Sequence, residues 1–372
     1  MKWEYVQPVK IYFGNGERKK LPEYLKQLGY NRAVLVCDKV LEDIGTAKEL
    51  IDICEGLILS TYSGTRPNPT VVNVDECAAI IRTSNADCVI AMGGGSSIDC
   101  AKAAAAVAPL NDSITKYHGT GVPLPGQTLP LISIPSTAGT GSEVTAVSVL
   151  SNEETGVKAP LLSPFFYAKI AIVDPELTYS VPAKISAITG LDALSHAVEG
   201  YYSINHQPIS DALCVSSART IFQWLEKACS TTLDKEAKER MAEASLIAGL
   251  GFNLPKTGPS HACSFVLTNK YHIPHGEACI LTQDYFVRII GAGDGGRLNQ
   301  FASMLGFKDA NDLADYIFSL KKTLGVRCDL KDLMLTENDI DNLVKESRHP
   351  NIKNSPVEIT DQMLYELYHG LM

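Results

Sequence analysis

The fold of the amino-terminal half is decided by Cys88-Val-Ile-Ala-Met-Gly-Gly-Gly-Ser-Ser-Ile-Asp99. The apolar run predicts a buried strand, the glycines a tight turn, and the residues after them a helix. Glycines let the backbone approach an anion, and the first N–H groups of a helix favour negative charge. This order of strand, glycine turn and helix therefore predicts a phosphate-binding turn, with a purely structural turn as the alternative. The spacing matches neither the Gly-x-Gly-x-x-Gly fingerprint nor a P-loop.

Around this stretch, short apolar runs alternate with helical patterns. The runs predicted as parallel strands cover residues 33–37, 56–59, 88–91 and 130–134, and the helices between them include 73–84 and 97–108. This alternation is typical of a doubly wound α/β domain. After about Val181 the patterns are helical only: 185–202, 208–228, 235–250, 274–290 and 309–324. We predict an α/β dinucleotide-binding domain at 1–180 and an all-helical, metal-binding catalytic domain at 181–372.

Composition excludes several classes of protein. The 372 residues are enough for two domains, and 45% hydrophobic with 20% charged residues is ordinary for a globular enzyme. A net charge of −9 without a basic stripe argues against a nucleic-acid partner. No apolar run is long enough for a membrane span and no signal peptide is apparent, so we expect a cytoplasmic protein. The ten cysteines form no Cys-x-x-Cys pair and are predicted to be reduced thiols.

A second glycine-rich loop, Ser136-Thr-Ala-Gly-Thr-Gly-Ser-Glu-Val144, also follows a predicted strand. Two such loops at the carboxyl edge of one sheet suit a long ligand such as a dinucleotide. Asp38 ends the strand at 33–37, where a carboxylate can accept hydrogen bonds from ribose hydroxyls and repel a 2′-phosphate. The sequence thus favours NAD(H) over NADP(H). The alternative is that Asp38 only caps a helix or faces solvent.

Four side chains form a candidate metal site. Asp192 and His196 are four residues apart and share one face of a predicted helix. His261 and His275 each stand beside a proline or glycine that marks a turn or helix start. One carboxylate and three imidazoles, with no cysteine, fit one divalent ion such as Fe(II), Zn(II), Mn(II) or Co(II) better than calcium.

The chain resembles the iron-containing (group III) alcohol dehydrogenases over nearly its whole length. The matching motifs are the glycine turn, Ile134-Pro-Ser-Thr-Ala-Gly-Thr-Gly-Ser-Glu-Val-Thr145, Ala171-Ile-Val-Asp-Pro-Glu-Leu177, the segment 190–203 and Ile273-Pro-His-Gly276. The resemblance implies hydride transfer between a nicotinamide dinucleotide and an alcohol or aldehyde, with Fe(II) or Zn(II) as the metal and frequent homodimers. It identifies Asp192, His196, His261 and His275 as metal ligands.

The same resemblance supplies the expected cofactor contacts. They are Asp38, Asn68, Gly94, Gly95, Ser96, Asp99, Thr137, Thr140, Ser142 and Lys158. Lys158 is similar to a lysine that reaches the nicotinamide ribose. Many members of the family carry a second histidine near the nicotinamide, four residues after the third ligand. Here that position is Phe265, predicted to be an apolar wall of the active site, and proton transfer is expected to use water or a ribose hydroxyl instead. His272 is a second option for this proton transfer, although a solvent-facing turn residue is the simpler interpretation.

The sequence alone leaves several interpretations of the function open. A glycerol-dehydrogenase-like polyol oxidoreductase is the main alternative, although such enzymes usually place lysine after the glycine triplet, where this chain has Ser96. A dehydroquinate-synthase-like lyase and a non-catalytic metal- and NAD-binding sensor are others. Residues 255–267 resemble the branch that includes phosphonoacetaldehyde reductases. An anionic aldehyde would then meet Lys256 or Arg66, unless both are ordinary surface charges.

Overall fold

The computed structural model describes residues 2–372, which divide into two compact units. One unit contains residues 6–137 and 141–180. The other contains the amino-terminal residues up to Tyr5, residues 138–140 and residues 181–372.

The first unit is built on a parallel sheet of six strands in the order β1-β8-β5-β4-β2-β3, with a separate antiparallel hairpin of β6 and β7. The strands are β1 (Lys10–Phe13), β2 (Ala33–Asp38), β3 (Ile58–Thr65), β4 (Cys88–Gly93), β5 (Leu131–Pro135), β6 (Val147–Asn152), β7 (Val157–Leu162) and β8 (Ile170–Val173). Strands β4, β5 and β8 are buried along their whole length. Their near-continuous apolar runs are typical of parallel strands covered on both faces.

Five helices belong to this sheet unit. They are α1 (Leu21–Leu28), α2 (Lys39–Asp43), α3 (Thr46–Ile53), α4 (Val71–Thr83) and α5 (Gly95–Val107). Helix α5 follows β4 directly after the glycine turn, and small alanines let it pack closely, so that its residues from 97 onward are buried except Asp99. The strand expected at 56–59 lies at Ile58–Thr65, because Gly56 adopts a left-handed turn before it.

Nine α-helices make up the second unit, and its described residues contain no β-strand. They are α6 (Ala183–Tyr202), α7 (Pro208–Ala228), α8 (Lys235–Phe252), α9 (Pro259–Tyr271), α10 (His275–Gly291), α11 (Arg297–Met304), α12 (Ala310–Thr323), α13 (Glu337–Glu346) and α14 (Asp361–Gly370). Helix α6 is central, being buried from Gly190 to Tyr202. The predicted fold class, an α/β dinucleotide-binding fold followed by helices, is confirmed.

Among residues 2–372, no helix combines the length and apolarity required to cross a membrane. All ten cysteines are free thiols, eight of them buried.

Candidate metal and dinucleotide sites

Three helices of the second unit bring the predicted metal ligands together. Asp192 and His196 lie one turn apart on α6, His261 is in the first turn of α9, and His275 is the first residue of α10. Asp192, His196 and His261 are buried, and His275 is half-buried. Gly276 allows the start of α10 to approach α6 closely, because a Cβ there would lie 2.4 Å from the backbone oxygen of Ile188.

The tightest cluster of possible ligand atoms also contains a cysteine. One donor atom from each of Asp192, His261, His275 and Cys279 lies within 4.8 Å of the others. The Cys279 Sγ is 3.8 Å from Nε2 of His275, four residues earlier on the same face of α10. Cys279 was not predicted as a ligand, although its i, i+4 spacing from His275 repeats that of Asp192 and His196.

His196 borders this cluster from the α6 side. Its Nε2 lies 3.0 Å from Nε2 of His261, and its ring stacks on Phe252 with the centroids 4.1 Å apart. Metal–nitrogen bonds of about 2.0–2.1 Å place two imidazole ligands of one ion at a similar or slightly larger separation. Burial lowers the pKa of His196 to about 4, which keeps the ring neutral and able to bind a cation.

Glu199 is a functional residue that the sequence did not indicate. It is fully buried on α6 and accepts hydrogen bonds from the backbone N–H groups of Gly258 at 2.8 Å and Ser260 at 2.7 Å. Its Oε2 lies 2.5 Å from Nδ1 of His261. A carboxylate on Nδ1 fixes the ring so that Nε2 faces the cluster, as in many metal-binding histidines.

The charge of the cluster fits a cation. Asp192 Oδ1 is buried, lacks a hydrogen-bond partner among the described residues and lies 3.7 Å from Nε2 of His261. Burial acts to raise the pKa of Asp192, but the neighbouring histidines outweigh it and hold this pKa well below its usual range. A buried, ionised and unsatisfied carboxylate is costly unless a cation or donor completes it. The residues present therefore suit a divalent metal ion.

The glycine turn of the sheet unit has no room for side chains. Gly93 has φ +153°, and a Cβ there would lie 2.5 Å from Oγ of Ser97. A Cβ on Gly94 would lie 3.3 Å from Oγ1 of Thr137, which places the second loop against the turn. No side chain caps α5, which begins at Gly95. Its first N–H groups are thus available to an anion such as a pyrophosphate.

Three other predicted cofactor residues are linked beside this turn. The backbone N–H of Asn68 donates to Oγ of Ser96 at 3.3 Å. Lys158 on β7 donates from Nζ to Oδ1 of Asn68 at 2.8 Å. The structure thus brings Asn68, Ser96 and Lys158 together.

Asp38 both caps a helix and faces the glycine turn. Its Oδ1 accepts from the backbone N–H of Leu41 at 3.0 Å, at the start of α2. Its Oδ2 lies 3.3 Å from the position of a Cβ on Gly93. The capping role is therefore present, and the second oxygen points toward the turn.

The side chains of Asp99 and Ser142 hydrogen-bond to each other, so these groups are already engaged within the protein. Asp99 accepts from Oγ of Ser142 at 2.5 Å and from the backbone N–H of Val149 at 2.8 Å. The buried Lys102 donates to Ser142 at 2.9 Å. This network fixes the second loop and β6 on α5, and a cofactor contact by either residue stays a prediction. Thr140, by contrast, belongs to the helical unit.

Phe265 lies next to the metal cluster. Its side chain is buried, and its ring centroid is 6.3 Å from that of His275 and 4.4 Å from that of His349. His349 was not singled out in the sequence. His272 is exposed at the end of α9 in a left-handed conformation, φ 55°, which agrees with a turn residue.

Two family models match successive parts of the chain. Residues 8–175 match the iron-containing alcohol dehydrogenase model, and residues 186–372 match the C-terminal model of the Fe-containing alcohol dehydrogenase family. The chain belongs to this family. The family predicted from the sequence motifs is confirmed.

Individual relatives cover most or all of the chain. A sulfoacetaldehyde reductase from Bifidobacterium kashiwanohense, solved in complex with NAD⁺, is 51% identical, with 100% of this chain and 99% of that chain covered and a TM-score of 0.97. Lactaldehyde reductase of Escherichia coli is 30% identical over 96% of each chain. Sulfoacetaldehyde reductase of Bilophila wadsworthia is 35% identical over 72% of this chain and 70% of its own length.

These relatives confirm the enzyme class. The chain is an oxidoreductase that interconverts alcohols and aldehydes with NAD and a divalent metal, and its substrate is a small molecule. The prediction of an enzyme thus holds against that of a non-catalytic sensor.

Proposed function

We propose that this enzyme uses NADH to reduce a short aldehyde that carries an anionic group, of the sulfoacetaldehyde or phosphonoacetaldehyde type, to the alcohol. The observation that carries the proposal is the 51% identity, over the whole chain, with the sulfoacetaldehyde reductase of B. kashiwanohense. The Bilophila relative is likewise a sulfoacetaldehyde reductase.

We assign the metal to Asp192, His196, His261 and His275. These residues would hold a divalent ion, and the chemistry it would supply there is Lewis-acid stabilisation of negative charge on a substrate oxygen. Glu199 holds His261 in the orientation that presents Nε2, and Phe252 holds His196 by stacking. Phe265 supplies an apolar surface beside His275, which excludes water from the neighbourhood of the reacting groups.

We assign the dinucleotide to the carboxyl edge of the parallel sheet. Gly94 and Gly95 at the start of α5 suit the pyrophosphate, and Oδ2 of Asp38 suits a ribose hydroxyl. Lys158 and Asn68 remain our candidates for the nicotinamide ribose. Because residue 265 is a phenylalanine, the proton is expected to come from water or a ribose hydroxyl.

Two expectations about the whole protein stay predictions. One is a homodimer, which sedimentation velocity would test. The other is a cytoplasmic location, which cell fractionation would test.

The substrate proposal is tested by a matched pair of aldehydes. Sulfoacetaldehyde and uncharged propionaldehyde are given to the metal-loaded enzyme, and NADH oxidation is followed. We expect kcat/KM to be at least about tenfold higher for the anionic aldehyde, which corresponds to about 1.4 kcal/mol of transition-state binding. Equal values, or a preference for propionaldehyde, contradict the proposal.

A further inference from the structure

Lys256 carries a half-buried positive charge that no carboxylate balances. Its Nζ donates to the backbone oxygen of Asn253 at 2.6 Å, and among residues 2–372 it forms no ion pair. Burial accordingly lowers the pKa of Lys256. An ammonium group has three hydrogens to donate, so this contact leaves part of its capacity for an acceptor from outside the chain.

The backbone of Lys256 is hydrogen-bonded to Phe252, a residue in contact with the predicted metal ligand His196. Lys256 adopts a left-handed conformation with φ 69°, which is unfavourable for a residue with a side chain. Its N–H donates to the backbone oxygen of Phe252 at 2.7 Å. Phe252 is the residue whose ring stacks on His196. Strain of this kind persists where the surrounding structure enforces it, often at ligand sites.

A second segment, around His349, contacts Phe265. His349 packs its ring on Phe265, which in turn neighbours His275. The Nδ1 of His349 accepts from the backbone N–H of Asn351 at 3.3 Å, which leaves Nε2 to carry the proton of the neutral ring. His349 is half-buried and thus reachable.

Hydrogen bonds tie the two segments together at Thr257. Asn351 donates from Nδ2 to Oγ1 of Thr257 at 2.7 Å, and Asn354 donates from Nδ2 to the backbone oxygen of Thr257 at 2.8 Å. Thr257 directly follows Lys256. The cation and the imidazole donor are therefore carried by two connected segments. One is bonded to Phe252, which stacks on His196, and the other packs on Phe265, which neighbours His275.

We propose that Lys256 and His349 form the subsite that binds the anionic group of the substrate, a sulfonate or a phosphonate. Such a group has three acceptor oxygens and a negative charge, which match an ammonium without an ion-pair partner and an imidazole N–H. Arg66, the other cation considered from the sequence, is exposed in the sheet unit. This inference rests on the proposed function, because it assumes an anionic aldehyde as substrate.

The test compares substrate preference in matched variants of the metal-loaded enzyme. Lys256→Met keeps the aliphatic part of the side chain and removes the charge. We expect its kcat/KM to fall at least about tenfold more for sulfoacetaldehyde than for propionaldehyde, chiefly through KM. Lys256→Arg should retain most of the preference. Lys353→Met is the control, since it removes an exposed charge close to Asn351 in sequence and should leave the preference unchanged.

The possible results distinguish a wrong assignment of the subsite from a wrong assignment of the function. If the wild-type enzyme prefers the anionic aldehyde and Lys256→Met keeps that preference, the subsite is wrong and the proposed function stands. A wild-type enzyme without any preference overturns both. If Lys256→Met loses kcat/KM equally with both aldehydes and has a lowered melting temperature, Lys256 has a structural role. That result also overturns the subsite.

Discussion

The Oε2 of Glu199 lies 2.5 Å from Nδ1 of His261, although the two residues are 62 positions apart in the chain. The same carboxylate accepts backbone hydrogen bonds at the start of α9. Burial acts to raise the pKa of Glu199, but His261 and these N–H groups outweigh it and lower the pKa. Glu199 therefore positions both the helix and the ring that faces the metal cluster.

Replacing Glu199 by glutamine tests this positioning role. Glu199→Gln keeps the shape but loses the charge and one acceptor, so we expect metal affinity to fall about 10- to 100-fold. Metal titration into the metal-free protein measures the change. Glu143→Gln is a suitable control, because it removes a buried carboxyl in the sheet unit and should leave metal affinity unaltered. Unchanged affinity in Glu199→Gln would show that the 2.5 Å contact does not tune the site.

Cobalt substitution distinguishes His196 from Cys279 as a metal ligand. We expect Cys279 to remain a protonated neighbour, because burial raises the pKa of its thiol. The Co(II) enzyme should then lack a thiolate-to-cobalt charge-transfer band, and Cys279→Ser should bind Co(II) with an unchanged spectrum. His196→Ala should lose metal affinity. A thiolate band in the wild-type enzyme that disappears in Cys279→Ser would instead make Cys279 a ligand.

Asp38 should make the enzyme prefer NADH to NADPH. Its Oδ2 faces the glycine turn, where a 2′-phosphate would meet like charge at a cost on the order of 1 kcal/mol per close exposed pair. Asp38→Asn keeps an oxygen for the α2 cap and removes the charge, so kcat/KM values for the two cofactors should converge. Asp38→Gly should also reduce the difference in kcat/KM between NADH and NADPH, but it removes the side-chain cap of α2 as well. Equal use of both cofactors by the wild-type enzyme would remove Asp38 from the cofactor site.

Phe265→His should add an ionisable group to the active site. The ring position borders His275 and His349, and an imidazole there has an ordinary pKa near 6.5. We expect the pH profile of kcat/KM to gain an inflection between about pH 6 and 8 that the wild-type enzyme lacks. If Phe265 is only a core residue, the profile stays the same, and an unpaired buried imidazole costs roughly 1–3 kcal/mol of stability. That result would reject Phe265 as an active-site wall.

Much of the fold could be predicted because its signals are local. The apolar runs of β2, β4 and β5 and the glycines after β4 appear directly in the sequence. For helix α9 only a possible start beside His261 was predicted and not its extent, because the helix is buried on every side from Pro259 to Thr268 and shows no amphipathic period. The β6–β7 hairpin, which carries Lys158, was also not predicted.

The candidate site was predictable where residues have characteristic spacing. Asp192 and His196 share a helix face, and His275 follows a proline at a helix start. Glu199 and His349 carry no such signal, since their roles depend on contacts made 62 and 84 residues away in the chain. Lys256 was recognised only as a candidate cation, because its lack of a carboxylate partner is a property of the folded chain.

One experiment tests most directly whether this chain reduces an aldehyde with NADH through a metal bound by α6, α9 and α10. The rate of NADH oxidation with sulfoacetaldehyde is recorded before chelation, after chelation and after a divalent metal is restored, with circular dichroism followed in parallel. We predict that chelation abolishes the rate, that helical content is largely retained, and that added Fe(II) or Zn(II) restores turnover. Full turnover in the chelated, metal-free enzyme would contradict the account.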